Sequence, residues 1–148
     1  MTVSSTTTKN SYSGDGSTTA FAYGFKIFTS ADIKVYIRSS TGTETLKSLT
    51  THYSLSNVGV DGGGNVTFGS APASGETVVL IRDTAQTQTL DLVENDPFLA
   101  ASFEDALDRT THQMIEMQEE LDRSFKVSTT NSITTPEFTD SATDRASK

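Results

Sequence analysis

Apolar side chains recur at two different periods along the chain, and the change of period divides it. Through the first ~92 residues they follow the two-residue repeat of a strand. Phe21, Tyr23, Phe25 and Ile27 alternate with Ala22, Gly24 and Lys26, which predicts a strand with one apolar face. Ile33, Val35 and Ile37 repeat the device against Lys34, Tyr36 and Arg38. Val3–Tyr12 is polar and β-branched, a composition that suits a half-exposed pleated surface. Glu44–Leu49, His52–Leu55 and Asn65–Phe68 predict shorter strands. In Thr77–Arg82 the residues Val78, Val79, Leu80 and Ile81 stand in a row, which predicts a strand buried on both faces. Between these segments lie turn sequences: Ser13-Gly14-Asp15-Gly16-Ser17, Ser39-Ser40-Thr41-Gly42, Asp61-Gly62-Gly63-Gly64-Asn65 and Ala71-Pro72-Ala73-Ser74-Gly75. Short strands at near-regular spacing indicate an antiparallel β-sandwich or barrel-like domain. Its expected core is Phe21, Tyr23, Phe25, Ile27, Ile33, Val35, Ile37, Val78 and Leu80.

The period changes near Asp96-Pro97, a helix-start signal with Asp96 as cap and Pro97 at the first helical position. Ser102, with Asp105 three residues on, is a second start signal. No Gly or Pro interrupts Ala100 to Phe125. Leu107, Met114, Met117 and Leu121 recur at heptad spacing, Thr110 fills the vacant slot, and Phe103 extends the series backward by one step. Glu104, Asp105 and Asp108 lie early in this helix, and Arg123 and Lys126 late, as the helix dipole prefers. Two uses of the stripe are open. It is the core face of a helix lying on the sheet, or it is a seam joining copies of the chain. A narrow stripe favours the seam, with Phe103, Leu107, Thr110, Met114, Met117 and Leu121 at the interface. Beyond Lys126 the chain is polar and cannot bury enough surface to fold alone. The expected organisation is a β-domain over residues 1–95, a helix over 96–127, and a linker over 128–148 leading toward further chain.

Composition narrows the function classes. Apolar residues are 34% of the chain, with Ser and Thr filling much of the gap. The net charge is -8, and 11 of the 19 acids fall between Asp83 and Arg123 with only Arg109 and Arg123 as basic residues. That argues against a nucleic-acid binder, which needs a basic patch, and against docking on an anionic membrane. There is no cysteine, so disulfides and thiolate chemistry are excluded. The first residues have neither a basic nor an apolar run, unlike a secretory signal, and no stretch approaches the ~20 apolar residues of a membrane span.

Candidate chemistry is sparse. His52, in a predicted strand, and His112, on the helix, have no second histidine at metal spacing, and both read as polar surface positions. Glu104-Asp105 and Glu119-Glu120 are adjacent acid pairs, but helical neighbours point about 100° apart and cannot converge on one glycosidic bond. They read as a solvated helix face. The glycines of residues 61–65 lack the ligands of a calcium loop and the Lys-Ser/Thr of a phosphate loop, and read as a tight turn. No catalytic residue, metal site or cofactor is expected.

Phe21-Ala22-Tyr23-Gly24-Phe25-Lys26-Ile27-Phe28 followed by Asp32-Ile33-Lys34-Val35-Tyr36 resembles the opening of the N-terminal, tail-attaching domain of the tail fibre proteins of T7-type short-tailed bacteriophages. The resemblance continues through His52-Tyr53-Ser54-Leu55, Gly63-Gly64-Asn65-Val66-Thr67-Phe68 and residues 71–82, and ends in Asp96-Pro97-Phe98 and residues 103–109. It spans about Tyr12 to Val127. The family has Asp where His52 stands, and a Thr-Asp-Tyr-like run where this chain has Thr89-Leu90-Asp91-Leu92. The resemblance implies a structural, non-enzymatic virion protein of the tail fibre base, made in the host cytoplasm. It implies a homotrimer whose helix leads into a trimeric coiled-coil stalk. It implies attachment to the tail adaptor and nozzle proteins, with the host receptor reached only through a distal C-terminal region. The alternative expectation is a receptor- or glycan-binding β-sandwich using Tyr12, Tyr36 and Tyr53, or a polysaccharide-cleaving domain.

Overall fold

A computed structural model of the chain describes residues 3, 5–88, 90–91 and 99–126. The Asp96-Pro97 start signal, Thr89, Leu92 and the 128–148 linker lie outside the described residues. Among those described, seven strands and one helix follow in order: β1 (Lys9–Ser13), β2 (Ala20–Tyr23), β3 (Ile33–Arg38), β4 (Glu44–Lys47), β5 (Tyr53–Leu55), β6 (Gly64–Phe68), β7 (Thr77–Arg82) and α1 (Ala100–Asp122). The strands form two antiparallel sheets, β1-β7-β3-β4 and β2-β6-β5. The sheets do not close into a barrel; they pack as a sandwich.

Alternation decides what lies between them. In β3 the residues Ile33, Val35 and Ile37 are buried and Lys34 and Arg38 exposed. Val78 and Leu80 of β7 pair with Ile37 and Val35 across the sheet and face the same way. All nine expected core residues are buried. Tyr53, Val66 and Phe68 join them from the opposing sheet. Rings meet edge-on or tilted: Phe21 with Phe68 at 5.8 Å, Tyr53 with Phe68 at 6.1 Å. Burying each such side chain contributes roughly 1.5–3 kcal/mol.

Two details depart from the pattern. The predicted strand through Ile27 is paired only as far as Tyr23, whose partner is Gly64. Gly63, at φ 76°, takes the left-handed backbone just beyond that last pair, where the ladder stops. Phe25 and Ile27 remain fully buried without a ladder. The apolar run of β7 is also not buried on both faces. Val79 and Ile81 are only half-buried, because that side of the sheet opens into a groove bordered by α1 rather than packing against a second layer.

Tight turns close the ends. Asp15 accepts hydrogen bonds from the Ser17 and Thr18 amides at 2.7 and 2.6 Å. Those bonds, with one from the Thr18 hydroxyl, hold its carboxyl at about 2. The Tyr23 hydroxyl crosses the core edge to donate to the Ser56 carbonyl.

Candidate functional site

The helix α1 begins at Ala100, with Leu99 preceding it and no side-chain cap. Ser102 therefore lies within the first turn rather than capping it. Placing Leu107, Met114 and Leu121 at heptad position a puts Phe103, Thr110 and Met117 at d. The opposite face then carries Asp105, His112 and Glu119 at f, Asp108 at b, and Arg109 and Glu116 at c.

This polar face, not the apolar one, lies against the sandwich. Glu116 accepts from Arg82 Nε at 2.6 Å, from the Thr84 hydroxyl at 2.7 Å and from the Thr84 amide at 2.9 Å. Asp105 accepts from Lys26 at 3.0 Å, and Lys26 also reaches Asp61 at 3.2 Å. Burial opposes the Lys26 charge, but the two carboxylates outweigh it and raise its pKa. Gln113 donates to the Ala85 carbonyl at 2.6 Å. Phe28 is the apolar hub, with His112 tilted against it at 5.4 Å and the Arg109 guanidinium over its ring at 4.7 Å.

Several expectations change here. His112 is not a surface residue; it is buried at 3% exposure between helix and sandwich. Burial pushes its pKa down to about 4, aided by the positive charges of Arg82, Lys26 and Arg109 and opposed by Asp32. Of the acid pairs, Glu104, Asp105 and Glu120 are exposed and Glu119 half-buried, whereas Asp108 is buried, and Asp105 and Glu116 are bonded to the sandwich. Glu119 pairs with Arg123 at 2.8 Å, and Glu119 and Glu120 both border the groove between α1 and the four-stranded sheet. His52 accepts from the Ser48 amide at 3.0 Å through Nδ1. Among the described residues no cluster of His, Asp and Glu is placed to hold a metal ion. Of the tyrosines suited to stacking on a sugar, Tyr53 is buried in the core and the Tyr12 hydroxyl is bonded to the Ala22 carbonyl at 2.6 Å.

The heptad stripe faces solvent. Leu107, Met114, Met117 and Leu121 are 54, 58, 55 and 54% exposed, and Phe103 is 40% exposed. The stripe is therefore not the core face of a helix lying on the sheet. Thr110, midway along it, donates its hydroxyl to the Ala106 carbonyl at 3.0 Å, so its donor is satisfied within the helix. The flanking e and g positions of the middle turns, Ala106, Thr111, Gln113 and Gln118, are uncharged; Glu104 and Glu120 stand toward the two ends. An acid-rich helix thus keeps the margins of its mid-stripe neutral.

No protein-family model matches the chain. It is similar to the tail spike protein of Salmonella phage epsilon15, with 34% identity over 111 residues, which is 75% of this chain. The matched region is 10% of that protein, so the chain spans about a tenth of its relative's length. The similarity relates the chain to a phage tail protein.

Proposed function

We propose that the chain is the tail-attaching part of a phage tail fibre or spike. Its β-sandwich anchors the appendage to the adaptor and nozzle proteins of the tail, and its helix gathers three copies at the root of a stalk. The distal protein would then carry the host-receptor site. The chain acts by position rather than by chemistry. The single observation that carries this reading is the orientation of α1, whose polar face grips its own sandwich while Leu107, Met114, Met117 and Leu121 stand in solvent. Four large apolar side chains in one solvent-facing heptad stripe favour association with like helices. Three linked anchors also turn three weak attachments into one strong one. The similarity to a phage tail spike protein supports the virion setting.

Mass measurement in solution tests the association. The chain is expected to run as a trimer, and Leu107→Asp with Leu121→Asp is expected to give a folded monomer. A monomeric wild type would overturn the trimer.

A further inference from the structure

The four-stranded sheet has an outward face whose make-up a solvent-facing sheet does not require. Cross-strand pairing sets its outward residues in rows. One runs Ser11, Val79, Tyr36, Leu46 across all four strands. The next row on one side is Lys9, Ile81, Lys34, and on the other Arg38 stands beside Thr77. An apolar centre is therefore ringed by three cations. Leu46 is 54% exposed, and Val79, Ile81 and Tyr36 are half-buried. The outward face of the other sheet offers the contrast: Ala20, Ala22, Ser54, Asn65 and Thr67, small and uncharged.

Two observations say that this face is built to be covered. The first is the unbroken apolar run of β7. It is written for burial on both sides, and the described chain buries one. The second is charge. The chain carries a net -8, yet the strands of this face point Lys9, Lys34 and Arg38 outward against one acid, Glu44; of the other acids that border it, Asp83, Glu116 and Glu119 are each held by a cation, which leaves Glu120 of α1. Lys34 is held by Asp83 at 2.6 Å, while Lys9 and Arg38 have no ion pair among the described residues. The cationic rim stays open beside a groove of about 450 Å³ that runs to Glu116 and Met117 of α1.

We propose that this face, centred on Tyr36, Val79 and Leu46, seats the anchor on a tail protein surface that presents carboxylates around an apolar side chain. The inference rests on the tail-attaching function proposed above and assigns the surface that performs it. Val79 and Leu46, the aliphatic side chains flanking Tyr36 at its centre, match a protein partner better than a sugar, which stacks on open aromatic rings. An apolar-centred patch with a charged rim is the ordinary anatomy of a protein interface, in which the rim charges steer encounter.

The test uses the full 148-residue chain and virions produced without it, counting bound chains per virion by quantitative mass spectrometry. Lys9→Glu with Arg38→Glu is expected to lower binding roughly tenfold or more, and more steeply at low salt. Leu46→Lys tests the apolar centre by itself and is expected to lower binding at every salt concentration. Thr67→Glu, on the other sheet, is expected to bind as wild type. Thermal melts and solution mass are expected to match wild type for all three. Full binding by the charge-reversed and Leu46 variants, with wild type attached, overturns the assignment of this face and leaves the tail-attaching function standing. A loss of trimer mass in those variants overturns it too, since the face would then join copies of the chain. Wild-type chains that fail to bind any virion would sink the tail-attaching function itself, and this assignment with it.

Discussion

Arg82 at the end of β7 and Glu116 in the last turn but one of α1 form a buried ion pair, 2.6 Å from Nε to Oε1, with side chains 1% and 13% exposed. The pair joins the strand to the helix across 34 residues of chain. The Arg82 guanidinium also lies 5.8 Å from the centre of the Phe25 ring. The Thr84 amide and hydroxyl each donate a further hydrogen bond to the Glu116 carboxylate. A polar pin of this kind holds a helix without using its apolar face, and that is what leaves the heptad stripe outward.

Removing the pin should undock the helix rather than unfold the sandwich. Glu116→Ala strands a buried guanidinium, a change that typically costs about 3–5 kcal/mol. Amide exchange is expected to speed up throughout α1 while β3 and β7 stay protected. Equal loss of protection in the strands would show that helix and sandwich unfold as one unit. Replacing both partners, Arg82→Met with Glu116→Leu, is expected to recover much of the lost stability, because no buried charge is then left unpaired.

Acid should loosen the same joint. His112 titrates near 6.5 in an unfolded chain and near 4 in the folded protein, where burial and Arg82, Lys26 and Arg109 oppose its charge. Between those values the unfolded chain binds the extra proton. The stability is therefore fully present above about pH 6.5 and is lost progressively toward pH 4, by up to about 3 kcal/mol. Urea unfolding at stepped pH measures the slope. His112→Gln is expected to flatten it within that window.

Thr110 is the weak step in the stripe. Leu at this position would add apolar surface between Phe103, Leu107, Met114 and Met117. For a helix that packs through this face, Thr110→Leu is expected to stabilise the oligomer by about 1–2 kcal/mol per protomer. The check is a rise in melting temperature that grows with protein concentration, as mass action requires. A melting temperature independent of concentration would count against packing through the stripe.

The glycine turn separates backbone demand from mere flexibility. Gly63 has φ 76°, and a Cβ there would run into the Tyr23 carbonyl oxygen. Gly63→Ala is expected to cost roughly 2–4 kcal/mol, from the left-handed backbone and from the clash together. Gly62 has open space, and Gly62→Ala should stay within about 0.5 kcal/mol of wild type. Chemical denaturation of both variants distinguishes them.

Local pattern determined the strands of this protein and much of its core. Alternation in Ile33–Arg38 places Val35 inside and Lys34 outside, because successive side chains on a strand point to opposite faces. Heptad spacing likewise marks Leu107 to Leu121 as one face of one helix. What pattern does not carry is which surface covers which. The apolar run of β7 reads as two-sided burial, yet only the packing of the two sheets shows that Val79 and Ile81 look outward. His112 reads as a surface residue, since its burial depends on Phe28 and Arg82, which are distant in sequence. The heptad stripe is compatible with the sheet or with another copy. Tertiary structure decided against the sheet, because the ion pair and hydrogen bonds of Glu116 and Asp105 turn the opposite face of the helix inward. A helix has one rotation about its axis, and the side that long-range contacts pin down settles where every other side points.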